Sequence, residues 1–277
     1  MNNQNSILLI DSAFDSELSI HCNLLVKVSP DNFSYAIIHK EDNKVIAVFD
    51  EQECEDGIKQ LANHLKNDPY LAFTYKEVKV AVYTTNSIFV PSAFEDHQSE
   101  NLHLSFFTQA PQTSLYRTKH PVFGFTTIFS LTQFTEDLLQ QSLTASKKFQ
   151  HSASLLKLAE TITNAAILLD FTVGTVNILY IKDKQVVFQQ YYEIENVEEF
   201  NYYLLLIINQ LDILAKESTA YVSGIIDEAD EKHSLLLNSF EAVSFLNPNK
   251  ELLDQDILSD MPAHYYTTLL ALDQCAS

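Results

Sequence analysis

An α/β fold of two similar halves, each a mixed β-sheet flanked by helices, is what this 277-residue sequence predicts. Three observations lead there. Residues 24–50, "LLVKVSPDNFSYAIIHKEDNKVIAVFD", lie over residues 165–191, "AAILLDFTVGTVNILYIKDKQVVFQQY", without a gap at a constant offset of 141. Both stretches read as three meandering strands, and an amphipathic helix follows each. Behind each helix stands a short apolar strand, which a helical crossover makes parallel to its predecessor.

In the first half the overlay sets Ile37 and Ile38 on Ile178 and Leu179, Asp42 on Asp183, and Val45 and Ile46 on Val186 and Val187. The polar turns "KEDNK" and "KDKQ" then coincide, rich in the residues that form tight connections. Cys54, Ile58, Leu61 and Leu65 recur at helical spacing, and "KVAVYT" at 79–84 is the strand after them. The joining segment carries an aromatic-rich loop or strand and then two helical stripes, Leu138, Leu139 and Leu143, and Leu155, Leu156, Leu158 and Ile162. The boundary between lobes is placed near 162, giving lobes of 1–162 and 163–277.

In the second half Phe200, Tyr203, Leu204, Ile207, Ile208 and Leu211 form one helical face. Asn196 is its expected cap, with Glu198 and Glu199 in the first turn where the helix dipole favours them. A strand "TAYVSGI" at 219–225, a helix at about 229–239 and a strand "AVSFL" at 242–246 follow, closed by Asn247 and Pro248. Asp260 and Pro262 signal a last helix, whose stripe of Tyr265, Leu269 and Leu270 packs back onto one of the sheets.

Composition narrows the function. At 46% hydrophobic the chain can bury two modest cores, and 37 acidic against 17 basic residues give a net charge of −20 that disfavours nucleic acid and anionic lipid. The doublet Lys147 and Lys148 reads as a solvated helix face. No leader pattern opens the chain and the run "YYLLLII" is too short to span a bilayer, so no membrane insertion and a cytoplasmic location are expected. Cys22, Cys54 and Cys275 fit neither a disulfide framework nor a metal knuckle. No Walker loop, GxGxxG, GxSxG or HExxH occurs.

Two tandem units of three meandering strands, helix, strand, helix, strand resemble the duplicated actin-like ATPase fold, also called ribonuclease H-like, of actin, sugar kinases, heat-shock chaperones and assembly proteins such as PilM and FtsA. Within it the chain is most similar to a bacterial domain-of-unknown-function family whose members look like actin-type ATPases with eroded nucleotide sites. The resemblance implies a place for each part of such a site: a glycine-bearing turn with an aspartate in each half, and a glycine pair ahead of a late helix. Glycine lets backbone N–H groups approach phosphates, and aspartate holds magnesium or its waters.

The first-half turn is "VSPDNFSY", where the overlay puts Ser29 in the place of Asp170 and Phe33 in the place of the glycine. Pro30 there removes an N–H, and Asp31 and Asn32 are turn formers first. In the second half "DFTVGT" carries Asp170, Thr172, Gly174 and Thr175, with Asp170 four residues from Gly174 where the family pattern has two. The glycine pair is reduced to Gly224, with Asp227, Glu228, Asp230 and Glu231 after it. Asp170, Thr172, Gly174, Thr175 and Gly224 are therefore the candidates for a vestigial phosphate loop. The function expected is a non-catalytic scaffold that binds another protein or itself, with no cofactor. The alternatives are a divergent ATPase or kinase-like enzyme that holds Mg-ATP with these residues, or a sensor with a small ligand between the lobes.

The nine histidines are scattered. His97 and His103, near Asp96 and Glu100, have a spacing that could bind a metal, yet fit an acidic surface loop better. His39 and His264 read as hydrogen-bonded structural imidazoles. Among 18 Phe and 13 Tyr, Phe106, Phe107, Phe123, Phe125, Phe129 and Phe134 cluster between the halves; most are expected in the core, and any exposed together would mark a protein-binding patch.

Overall fold

The computed structural model describes residues 5–94, 104–109, 114–248 and 252–276. Strands β1 (Ser6–Ile10), β2 (Cys22–Val28), β3 (Phe33–His39) and β4 (Lys44–Glu51) precede helix α1 (Gly57–Asn67), which crosses to β5 (Glu77–Val82), parallel to β2. An insertion follows, with β6 (Ser87–Pro91), β7 (Leu115–His120) and β8 (Phe125–Ser130) in a separate three-stranded sheet of order β6-β8-β7. Helix α2 (Gln133–Ser142) then leads to β9 (Lys147–Gln150), which completes a six-stranded sheet of order β1-β4-β3-β2-β5-β9.

The chain enters the second half through α3 (Ala153–Ala159). Here β10 (Ala166–Phe171), β11 (Thr175–Lys182) and β12 (Gln185–Glu193) form the meander, α4 (Val197–Gln210) crosses to β13 (Thr219–Gly224), and α5 (Glu231–Ser239) crosses to β14 (Ala242–Phe245). The sheet order is β12-β11-β10-β13-β14. A short last helix, α6 (Thr267–Ala271), ends the fold.

Both central strands, β2 and β10, are buried along their whole length. A strand covered on two faces reads as a continuous apolar run, which is why "LLV" and "AILL" recur in the two halves. Helices supply the cover in three layers. Leu61 of α1 and Leu139 of α2 close the outer face of the first sheet, and Phe200, Leu204 and Leu236 of α4 and α5 close that of the second. Between the lobes, α6 lays Leu269 and Leu270 on Leu25, Ala36 and Ile38 of the first sheet. Helix α3 lays Leu155 and Leu156 on Leu168 and Leu179 of the second. Caps fix where the outer helices begin: Asp56 accepts from the N–H groups of Ile58 and Lys59, and Asn196 accepts from Glu199 N at 2.8 Å.

The two meanders agree down to one irregularity. The β3–β4 ladder shifts register between Ile37 and Ile38, and the β11–β12 ladder shifts between Tyr180 and Ile181. The turns before the third strand of each meander differ, however: residues 40–43 join β3 to β4, whereas only Asp183 and Lys184, both at positive φ, join β11 to β12. That length difference corrects the gapless overlay, which holds beyond this turn and slips by two residues before it. Lys27 stands opposite Ser34 as Asp170 stands opposite Asn177, so the counterpart of Asp170 is Lys27 and not Ser29. Likewise Ser29 N donates to Asn32 O as Thr172 N donates to Thr175 O, which makes Asp31 and not Phe33 the counterpart of Gly174.

Other expectations need local correction. Lys147 and Lys148 lie on an edge strand rather than a helix, Lys147 paired with Glu77 at 2.6 Å and Lys148 over the Tyr116 ring. A four-residue strand is too short to show a period of two against the helical patterns beside it. Cys54 precedes α1, and α6 is shorter than its sequence stripe, because Tyr265 is held in a turn through its N–H to Pro262 O. Phe125 and Phe129 are core, whereas Phe106 and Phe134 are exposed. His97, His103, Asp96 and Glu100 lie outside the described residues.

Gly224 ends β13 at φ +82°, and a Cβ there would sit 2.0 Å from Phe171 O. Gly224→Ala should therefore lower stability by at least ~2 kcal/mol, from positive-φ strain plus overpacking against backbone, measured as a fall in the urea midpoint.

Candidate functional site: an ion pair between the lobes

The C-terminal ends of β2 and β10 face one another across the lobes, and each brings one charge. Lys27 Nζ lies 2.5 Å from Asp170 Oδ2, and both side chains are over nine-tenths buried. The sheets aim them inward. Lys27 alternates with the α1-facing residues Val26 and Val28, so it shares the face of Leu25, which α6 covers. Thr268 of α6 completes the junction: its hydroxyl accepts from Lys27 Nζ at 2.7 Å and donates to the Asp170 carboxylate at 2.9 Å. Ser223 of β13 adds a donor to Asp170 Oδ1 at 2.9 Å.

A buried carboxylate survives only if charge and hydrogen bonds replace its water. Burial raises the pKa of Asp170, but the Lys27 ammonium and the Ser223 hydroxyl outweigh it and hold the group below the usual carboxylate range. Asp50 on β4 has weaker support. It accepts from Asn32 and Gln52, both uncharged, and burial dominates, so its pKa is raised. His151, just past β9, is buried without a hydrogen-bond partner on either ring nitrogen among the described residues. Burial, with the Lys27 charge nearby, pushes its pKa down to about 3.

The two turns above the pair also bond to each other. Asp31 of the first turn accepts from Ser29 Oγ at 2.8 Å, from Thr172 Oγ1 at 2.5 Å and from Tyr191 OH at 3.0 Å. Gly174 brings the second turn so close that its Cβ would lie 3.4 Å from Asp31 Oδ2. Several backbone donors here have partners. Thr172 N bonds Thr175 O, Thr175 N bonds Thr172 Oγ1, and Val173 N reaches Gln52 Oε1 at 3.3 Å. Gly224 N bonds His264 O and Ile225 N bonds Phe171 O. Gly57, at the start of α1, is packed so tightly that a Cβ would lie 2.1 Å from Ser29 O. Among the described residues no group of three His, Cys, Asp or Glu could hold a metal.

Of the sequence candidates, Asp170, Thr172, Gly174 and Thr175 gather at this junction, with Thr175 Oγ1 2.6 Å from Thr172 Oγ1. Gly224 closes the end of β13 beside Phe171. Lys27, Thr268, Ser223, Tyr191 and His151 are the members that sequence reading did not single out, and Asp31, read there as a turn former, accepts bonds from both turns. One signal was visible: "LLVKVS" carries a lone lysine in an otherwise apolar strand, and an ammonium there needs a buried anion.

The architecture is a two-lobed actin-like ATPase fold. A Bacteroides thetaiotaomicron VPI-5482 protein with actin-like ATPase fold and unknown function aligns at TM-score 0.74 and 15% identity, over 96% of this chain and 100% of that one. The PilM–PilN type IV pilus biogenesis complex supplies a second likeness, at TM-score 0.59 and 11% identity, over 91% of this chain and 97% of that one. The chain belongs to the family described as "Protein of unknown function (DUF3822)", whose model matches residues 11–243. No curated protein matches it.

Two outcomes test the junction. Lys27→Met strands a buried carboxylate and should cost about 3–5 kcal/mol, whereas Lys27→Met with Asp170→Asn removes both charges and should be more stable than Lys27→Met alone, by urea unfolding. The pH dependence has a definite sign. An unfolded histidine titrates near 6.5 and His151 in the fold near 3, so its contribution is complete above about pH 6.5 and is lost as pH falls toward 3. Unfolding midpoints measured from pH 7 to 4 should fall, and His151→Phe should flatten that slope.

Proposed function

We propose that this protein is a non-catalytic actin-like scaffold, acting in the cytoplasm by binding another protein or itself, with its interlobe site closed by its own side chains. The observation that carries the reading is Lys27. Its ammonium stands at the strand position equivalent to Asp170 and supplies, from within the chain, the positive charge that carboxylate requires.

The surroundings support the same reading. Magnesium nucleotide does not fit the residues present: Asp31 puts a carboxylate between the two turns, and the N–H groups of Ser29, Thr172, Val173, Thr175 and Gly224 already have acceptors. Asp170, Thr172, Gly174, Thr175 and Gly224 are then remnants of a phosphate site in a duplicated fold that now hold the lobes together, and no cofactor is required. No helix among the described residues is long and apolar enough to cross a membrane. A protein of the same fold, PilM, is known in complex with PilN, so the architecture accommodates a protein partner.

Isothermal titration with Mg-ATP decides between the scaffold and a divergent ATPase or kinase-like enzyme. The scaffold gives no binding heat at millimolar nucleotide; saturable binding with a Kd of about 100 µM or tighter overturns it.

A further inference from the structure

Two sheets end in edge strands that border one cavity. The order β6-β8-β7 leaves β6 with one free edge, and β12 is the outer strand of the second sheet. Ser87, Ile88 and Phe89 of β6 and Gln189, Gln190 and Tyr191 of β12 line the same interlobe groove, of about 540 Å³. Among the described residues no strand pairs with the outer edge of either.

Edge strands are normally blunted by charge, proline or cover, because their unpaired backbone groups invite another strand. Over residues 185–192, "QVVFQQYY", β12 carries neither a charged residue nor a proline before Glu193 ends it, and β6 has only Pro91 at its far end. No residue lining the groove is charged, although the chain carries −20. That neutrality disfavours phosphates, nucleotides and charged peptides alike.

Several lining side chains are already engaged. Gln150 accepts from Ser152 N, Gln189 donates to Asn177, Tyr191 donates to Asp31, and Thr84 donates to Ser130 O. Along its two borders the groove also offers the backbone of two outer strands. The partner that matches a row of strand N–H and C=O groups is another extended backbone, and side chains alternating off it would meet Phe89 and Ile88 on one border and Gln190 on the other.

We propose that this groove binds an uncharged, extended segment of a partner protein as an added β-strand. The inference deepens the scaffold reading and rests on it in taking the partner to be a protein. The test uses random linear heptapeptides displayed on phage and selected on the full chain. Enriched peptides are then synthesised and titrated by fluorescence polarisation. Peptides poor in charge should be enriched, and binding should weaken about tenfold or more with Thr85→Arg/Gln190→Arg, two exposed positions whose change leaves the thermal midpoint in place. N-methylation of the peptide on at least one of its two sets of alternate residues should abolish binding, since it removes ladder donors and leaves side chains unchanged. Failure to enrich any peptide above the level reached on the double variant overturns the proposal. So does binding that survives both the arginine substitutions and N-methylation. Nucleotide binding in the titration above would overturn the scaffold reading while leaving this result to stand or fall by itself.

Discussion

Two unlike charges stand at equivalent places on the central strands of two lobes and meet in the interior. The rest of the junction follows from that pairing. An isolated ammonium or carboxylate would be untenable at that depth, and together they are tolerated because Thr268 and Ser223 supply the remaining hydrogen bonds. The pair therefore fixes more than one contact. It sets the spacing of β2 and β10, the position of α6 and the approach of the two turns above it.

Two helices fill the layer between the lobes. Helix α6 comes from the end of the chain yet packs on the first sheet, while α3 leaves the first sheet's edge strand and packs on the second. The two helices also pack on each other, so neither lobe can separate without exposing apolar surface of both. Asp31 adds a polar clasp above this layer, drawing a threonine and a tyrosine of the second lobe onto a turn of the first. A site that could hold a phosphate in its cleft would need open backbone donors and a carboxylate free for a cation. Here the N–H groups of Ser29, Thr172, Val173, Thr175 and Gly224 are bonded within the fold and the carboxylate has a lysine.

The strand edges complete the same logic. The groove between β6 and β12 is bordered by two outer strands and lined by uncharged residues in a strongly acidic protein.

The sequence by itself determined the meander, the helix and the following strand of each half, and through that order the resemblance to the actin-like fold. Those depend on local periodicity: "LLVKV" and "AILLDF" are buried on both faces, the α1 and α4 stripes are one-sided, and Asn196 caps as its residue type dictates. Asp170 and the turn after it were also legible as the place where the halves are comparable. The tertiary structure alone decided which residue faces Asp170. A turn two residues longer in the first half is invisible to an overlay that matches apolar residues, because a shift of two in a strand keeps every side chain on its own face. The same holds for α6, whose stripe says that it is buried and not against which sheet. Pairing across 143 residues of chain depends on distance in the folded state, and only the folded state put Lys27 beside Asp170.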